Sequence, residues 1–277
     1  MKPIEEFTNK IINGDSLRIL KEIPDESVNL VITSPPYFGC RVYGDETLGR
    51  EKDPREYIEH IFEFTKEIKR VLSSHGSFYL NIGDVYFGTK GFGRVKGEYL
   101  RKTHKHYKEH EIVEEDGKYL QHKQLLLIPS RIAIKMQDDG WILRNSIVWN
   151  KNNACPNFSE DRRLPVYEYI FHFVKSKDYY FDFETAKKLN HHRDIITCGI
   201  ESFGEHQATF PEKLIYPFVV TTSKENDVVL DPFSGFATVG LVCQRNNRKY
   251  ILIELNEKYC KSAALRLKNA RGLWGED

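Results

Sequence analysis

Apolar residues in this chain come in short runs, several of which stop at an acid or a small polar residue before helical spacing begins. From Asp227 the sequence Asp-Val-Val-Leu-Asp-Pro-Phe-Ser-Gly-Phe-Ala-Thr-Val-Gly predicts a strand closing on Asp231, a turn of small residues and the start of a helix. Lys249-Tyr-Ile-Leu-Ile-Glu254 repeats the strand-then-acid pattern, and Asn256 is placed to cap a helix through Tyr259, Ala263 and Leu267. The first forty residues predict two more units of the same rhythm. Lys10-Ile-Ile-Asn-Gly-Asp15 precedes a helix from about Ser16 to Glu22, and Val28-Asn-Leu-Val-Ile-Thr-Ser-Pro-Pro-Tyr37 follows it. Tandem strand and helix units imply an α/β fold with a doubly wound, mostly parallel sheet.

Apolar spacing at Ile58, Ile61, Phe62, Thr65 and Ile68 predicts a helix from about Pro54 to Leu72, and His75-Gly76 then reads as a turn into a strand over Ser77–Ile82. Regularity stops there. Asp84 to Gln124 is polar and longer than connections inside a compact domain usually are, which marks a functional insertion or partial disorder. Beyond it, Pro129–Gln137 predicts a helix, and Trp141–Trp149 and Tyr167–Val174 predict strands rich in β-branched and aromatic residues.

At 277 residues, 40% hydrophobic and 29% charged, the chain can bury one substantial core, which excludes collagen, coiled coil and wholesale disorder. The N-terminal segment has no apolar region of the signal-peptide kind, and no run reaches the length of a membrane span, so neither export nor a membrane partner is expected. The five cysteines are scattered and never spaced as Cys-x-x-Cys, which points to a reduced, cytoplasmic protein without a disulfide framework. The net charge of +1 names no polyanionic partner. Its distribution adds something: Lys90, Arg94, Lys96, Arg101, Lys102, Lys105 and Lys108 face a single acid, Glu98, in one stretch. That stretch is either a solvated loop or a phosphate-contacting segment.

Thr33-Ser34-Pro35-Pro36-Tyr37 follows directly on an apolar strand. Two successive prolines lock φ and donate no N–H, so the chain leaves the strand rigidly with free carbonyls, at the strand end where open α/β sheets bind ligands. Alone, this could be a mere turn. With Asp231-Pro-Phe-Ser-Gly-Phe-Ala-Thr-Val-Gly240 it resembles the catalytic and cofactor motifs of the amino-group (N4-cytosine and N6-adenine) DNA methyltransferases. The order, catalytic motif ahead of cofactor motif, is similar to the permuted β group, and the resemblance covers most of the chain.

The resemblance implies a methyltransferase (Rossmann-like) fold with circularly permuted motif order, S-adenosylmethionine as methyl donor, and chain ends that lie close together. Ser34, Pro35, Pro36 and Tyr37 would be catalytic. Ser34 Oγ and the Pro35 carbonyl would accept from the two N–H bonds of the target amine, and Tyr37 would stack on a flipped base. The donor would meet Asp15, Thr33, Phe210, Pro211, Glu212, Lys213, Asp231, Pro232, Phe233, Ser234, Gly235, Ala237, Thr238 and Glu254. Glu254 suits ribose hydroxyls, as acids do in dinucleotide sites. The sequence departs from the family's Gly-x-Gly at Phe236, where a small residue is common.

Double-stranded DNA would be the partner, contacted by Lys90, Arg94, Lys96, Arg101, Lys102, Lys151, Arg162 and Arg163. Residues 85–127 would form an inserted target-recognition segment and 182–205 a second DNA-contacting one, within a single domain of 277 residues. Ser in Ser-Pro-Pro-Tyr resembles the cytosine-N4 subgroup, with adenine N6 as the alternative and a non-catalytic nucleic-acid-binding relative as a third reading. A ring-carbon mechanism would need a cysteine nucleophile, and Cys155, which precedes Pro156, does not match one. No metal is expected, because His104, His106, His110, His191 and His192 lack metal-ligand spacing. Whether a restriction endonuclease accompanies the protein, and whether it is a monomer or homodimer, are left open.

Overall fold

Val28–Thr33 (β2) and Val228–Asp231 (β9) are apolar almost to their last residues, and all but Asn29 are buried. Runs of this kind occupy the middle of a parallel sheet. The computed structural model describes residues 2–39, 48–88, 114–154, 159–203 and 206–272. It divides into two compact units, one of Met1–Ser34, Lys66–Asn81 and Gly140–Asp277, the other of Pro35–Thr65 and Ile82–Asp139.

The first unit is built on an eight-stranded sheet. Its order is β1 (Lys10–Asn13), β10 (Lys249–Glu254), β9, β2, β3 (Leu72–Ile82), β5 (Tyr167–Val174), β4 (Ile142–Asn150) and β6 (Ile195–Thr197). From β1 to β3 every pairing is parallel, and β4 with β5 is antiparallel. Lys10 pairs with Ile251 and Leu30 with Val229, so the last strands sit between the first two. That is the permuted topology the motif order implies. The helix Glu257–Gly272 (α7) packs on β1 and β10, which brings the two ends of the described chain together. Asn256 caps this helix as expected, its Oδ1 accepting from Lys258 N at 2.9 Å. Leu30, Ile32, Tyr79, Val229 and Leu252 of the strands meet Leu214, Phe218, Val239 and Ala263 of the helices in one core.

Two expectations need correction. The strand read as starting at Ser77 begins at Leu72, directly after the helix Pro54–Val71 (α2). His75-Gly76 is no turn: a Cβ at Gly76 would stand 2.8 Å from the Asn29 carbonyl of β2, so the glycine permits a close strand approach. Ahead of Asp231, where the apolar pattern predicts no element, lie the strand His206–Thr209 (β8), which pairs with Glu201–Phe203 (β7), and the buried helix Glu212–Thr222 (α5). That helix is apolar on most sides and carries Pro217, so its periodicity is hidden. Thr221, Thr222 and Ser223 return hydroxyls to the carbonyls four residues earlier.

The second unit holds the N-terminal part of α2 and the helix Ile128–Asp138 (α3). Lys135 of α3 bonds Glu59 at 2.7 Å and lies over the Phe62 ring of α2. Arg131 covers the Tyr119 ring at 4.0 Å, and Tyr86 bridges Leu125. Among the described residues no helix is long and apolar enough to cross a membrane.

Candidate active site

In the first unit, the carboxyl ends of β2, β9 and β10 converge on two acids. Asp231, 1% exposed, accepts at Oδ1 from the Thr33 hydroxyl at 2.6 Å and from Phe233 N at 3.1 Å. Burial pushes its carboxyl up to about 7; the two hydrogen bonds work against that rise and the charge of Glu254 adds to it. Glu254, at the end of β10, accepts from Gly235 N at 3.0 Å and Asn256 N at 2.7 Å. Its carboxyl is also raised, chiefly by burial. Ser234 N bonds the Ile253 carbonyl, which holds the Pro232–Ala237 loop against β10 before the helix Thr238–Arg245 (α6) starts.

This corner fits a cationic nucleoside. Ser234 Oγ is buried without a hydrogen-bond partner, and nothing lies within 4 Å of where a Cβ on Gly235 would stand. Two partly desolvated carboxylates supply acceptors for an amine and for ribose hydroxyls.

Phe236 packs tilted against Tyr259 of α7, with ring centroids 5.6 Å apart. Ala237 takes the left-handed conformation, φ 62°, that the glycine of Gly-x-Gly favours. Arg266 of α7 donates to the Phe236 carbonyl at 2.9 Å, to Thr238 Oγ1 at 3.0 Å and to Glu212 at 3.3 Å, and Glu212 also pairs with Arg245. Arg266 escaped the sequence reading because an arginine on an amphipathic helix looks like a solvated residue. Of the remaining donor candidates, Pro211 is buried at the start of α5, Phe210 packs on the core and Lys213 is exposed. Asp15 caps the helix Ser16–Leu20 (α1) by accepting from Arg18 N at 2.8 Å, and Ser16 ties Pro232 through its carbonyl.

Ser34 ends the first unit and Pro35 opens the second. Within the second, the carbonyls are not all free: Tyr57 of α2 donates to the Pro36 carbonyl at 2.9 Å and packs on Phe38. A Cβ on Gly83 would stand 2.8 Å from the edge of the Tyr37 ring, so the ring occupies space that only glycine leaves. Neither Tyr57 nor Gly83 carried a signal in the sequence.

The DNA candidates Lys90, Arg94, Lys96, Arg101 and Lys102 lie outside the described residues, as do Lys105, Lys108, Cys155 and much of the 85–127 segment. Lys151 pairs with Glu168 at 2.6 Å and stands over the Trp149 ring. Arg162 donates to the Arg163 carbonyl, and Arg163 is exposed. In the 182–205 stretch His191 packs edge-on against Phe218, its imidazole pushed down to about 4 by burial. Among the described residues no cluster of His, Cys, Asp and Glu could hold a metal ion.

A profile of the DNA methylase family, N6 and N4 class, matches residues 28–265. The type II methyltransferase M.XycI of Xanthomonas campestris pv. cyanopsidis is 40% identical over 267 residues, 93% of this chain and 87% of its own. The solved PvuII DNA methyltransferase (cytosine-N4-specific) superposes with a TM-score of 0.70 at 24% identity, over 96% of this chain and 93% of that one. M1.HpyAVI, solved as a SAM complex, superposes with a TM-score of 0.58 at 21% identity, over 93% and 98%. Both likenesses are of fold. The profile match runs from β2 well into α7, and the M.XycI similarity extends over nearly the whole chain: the protein belongs to the N6/N4 DNA methylase family.

Proposed function

We propose that the protein methylates the exocyclic N4 of cytosine in double-stranded DNA, with S-adenosylmethionine as donor. The observation that carries the reading is the hydrogen-bonded pair of Thr33 and Asp231, which joins the strand leading into Ser34-Pro35-Pro36-Tyr37 to the acid of the donor corner. Ser in the first position of that tetrapeptide favours cytosine N4, and the cytosine-specific PvuII enzyme is a fold neighbour.

When bound, S-adenosylmethionine supplies an electrophilic methyl group on a sulfonium. Asp231 and Glu254 hold its amine and ribose hydroxyls, and Ser234 and Gly235 let the backbone come close. The cytosine amine is a poor nucleophile because its lone pair is delocalised into the ring. Ser34 Oγ and the Pro35 carbonyl accept from its two N–H bonds, favouring a tetrahedral nitrogen whose lone pair points at the methyl group. Tyr37 stacks on the extruded base, and Pro35 and Pro36 keep these groups from relaxing. Lys90, Arg94, Lys96, Arg101, Lys102, Arg162 and Arg163 are the cations proposed for DNA phosphate, with segments 85–127 and 182–205 as the recognition surfaces. Lys151 belongs with them only if DNA displaces Glu168. A partner restriction endonuclease is in keeping with the type II relatives.

Incubation with labelled donor and duplex DNA, followed by mass spectrometry of the nucleosides, tests the reading. N4-methylcytosine is expected. N6-methyladenine would replace the target base, and no modified base despite donor binding would leave a non-catalytic DNA-binding protein.

A further inference from the structure

Thr33 was grouped with the donor ligands, yet its hydroxyl has one proton, and that proton goes to Asp231 Oδ1 over 2.6 Å. The side chain sits on the strand next to β9 and is 1% exposed. Phe233 N donates to the same oxygen, so both bonds fall on Oδ1 and leave Oδ2 for a ligand. We propose that Thr33 is a positioning residue: by donating to Asp231 it sets the orientation of the donor-facing carboxylate and ties it to the strand end that continues into Ser34.

The inference rests on Asp231 as the acid that meets the donor. Its chemical content follows from the surroundings. Burial lifts the carboxyl to about 7, so that its titration falls in the neutral range. Glu254 of β10 and the Cys243 thiol of α6 are the titratable groups that act on it or feel its charge, and neither is a cation. Two neutral donors, the Thr33 hydroxyl and the Phe233 amide, therefore oppose desolvation, and only the hydroxyl is a side chain that selection could remove. A valine here would keep the strand's shape and lose that donor. The carboxyl would then hold its proton to higher pH and rotate more freely beside the methyl-transfer site.

The test compares Thr33→Val and Thr33→Ser with wild type. In donor-free protein labelled with ¹³C at aspartate carboxyls, Thr33→Val should raise the Asp231 titration midpoint by about one pH unit, and Thr33→Ser should restore it. Calorimetric titration with S-adenosylmethionine across the same pH range should show affinity at neutral pH falling about fivefold for the valine variant and recovering as pH rises. Turnover with saturating donor at high pH should stay below wild type, because orientation is not recovered by ionisation alone. Thr33→Ala replaces the valine variant should that one not fold. An unmoved midpoint, or a serine variant that behaves like valine, would overturn the inference. Asp231→Asn separates the two layers: normal donor binding by that variant would refute the donor role of Asp231 and leave the hydroxyl's effect on the titration standing.

Discussion

The proposed reaction puts Ser34 on the target amine and not on the donor, and its removal should show that division. Ser34→Ala is expected to leave S-adenosylmethionine affinity within about twofold and to lower single-turnover methylation by ~10²–10³, the cost of losing one oriented hydrogen-bonding group. Parallel losses in both measurements would move Ser34 to the donor corner. Gly83 is a less obvious lever. The Cβ of Gly83→Ala would overlap the Tyr37 ring, so this substitution should mimic Tyr37→Ala and lose stacking of about 1–3 kcal/mol in binding of DNA with an unpaired target base. Wild-type affinity in Gly83→Ala would show that the ring has somewhere else to go. The tetrapeptide itself could be read from the sequence because two prolines after an apolar run are rare and specific. Tyr57 and Gly83 could not, since each acts through a residue distant in sequence and neither has an unusual local pattern.

Strand ends that carry acids were legible because their apolar runs are short and sharply bounded, as at Asp231 and Glu254. The elements that brace them were not. Buried α5 is apolar on most sides and so hides its period, and β6 is only three residues long. The pin on the Pro232–Ala237 loop is likewise invisible in one dimension, since Arg266 reaches the Phe236 carbonyl from a helix that follows the next strand. Arg266→Met keeps the stem and removes the donors, stranding the Phe236 carbonyl at a cost of about 1–3 kcal/mol and leaving Glu212 to Arg245. We expect a lower melting temperature together with weaker donor binding, both read on the same preparation by thermal shift with and without S-adenosylmethionine. A melting change that leaves donor affinity untouched would confine Arg266 to scaffolding.

For the molecule as a whole, acid is the revealing stress. His172 stacks on Tyr79 and bonds Ser77, and burial, helped by Arg144, pushes its imidazole down to about 3; His191 lies at about 4 through burial. Both stay neutral in the folded protein while the unfolded chain protonates near 6.5. Through these two groups stability should fall as pH drops below about 6.5 toward these values, by up to ~1.4 kcal/mol per pH unit for each imidazole. Asp231 acts in the opposite sense between the ordinary aspartate value and about 7, because the fold holds a proton the unfolded chain releases. Glu254 and Asp84, whose carboxyls burial also raises, add to Asp231, so the imidazoles are read by difference: His172→Phe should shift the change in denaturant midpoint between pH 7 and pH 5 toward greater stability at the acid end. The strand order has a consequence in time as well as in space. β1 and β2 leave the ribosome long before β9 and β10, the strands that must lie between them, so the nascent chain carries apolar strand edges without neighbours. Contacts this far apart in sequence form slowly. A growing copy lacks Asp231 and the two strands that bridge β1 to β2 until β9 and β10 have been made, and the capacity to mark DNA arrives all at once, with their insertion.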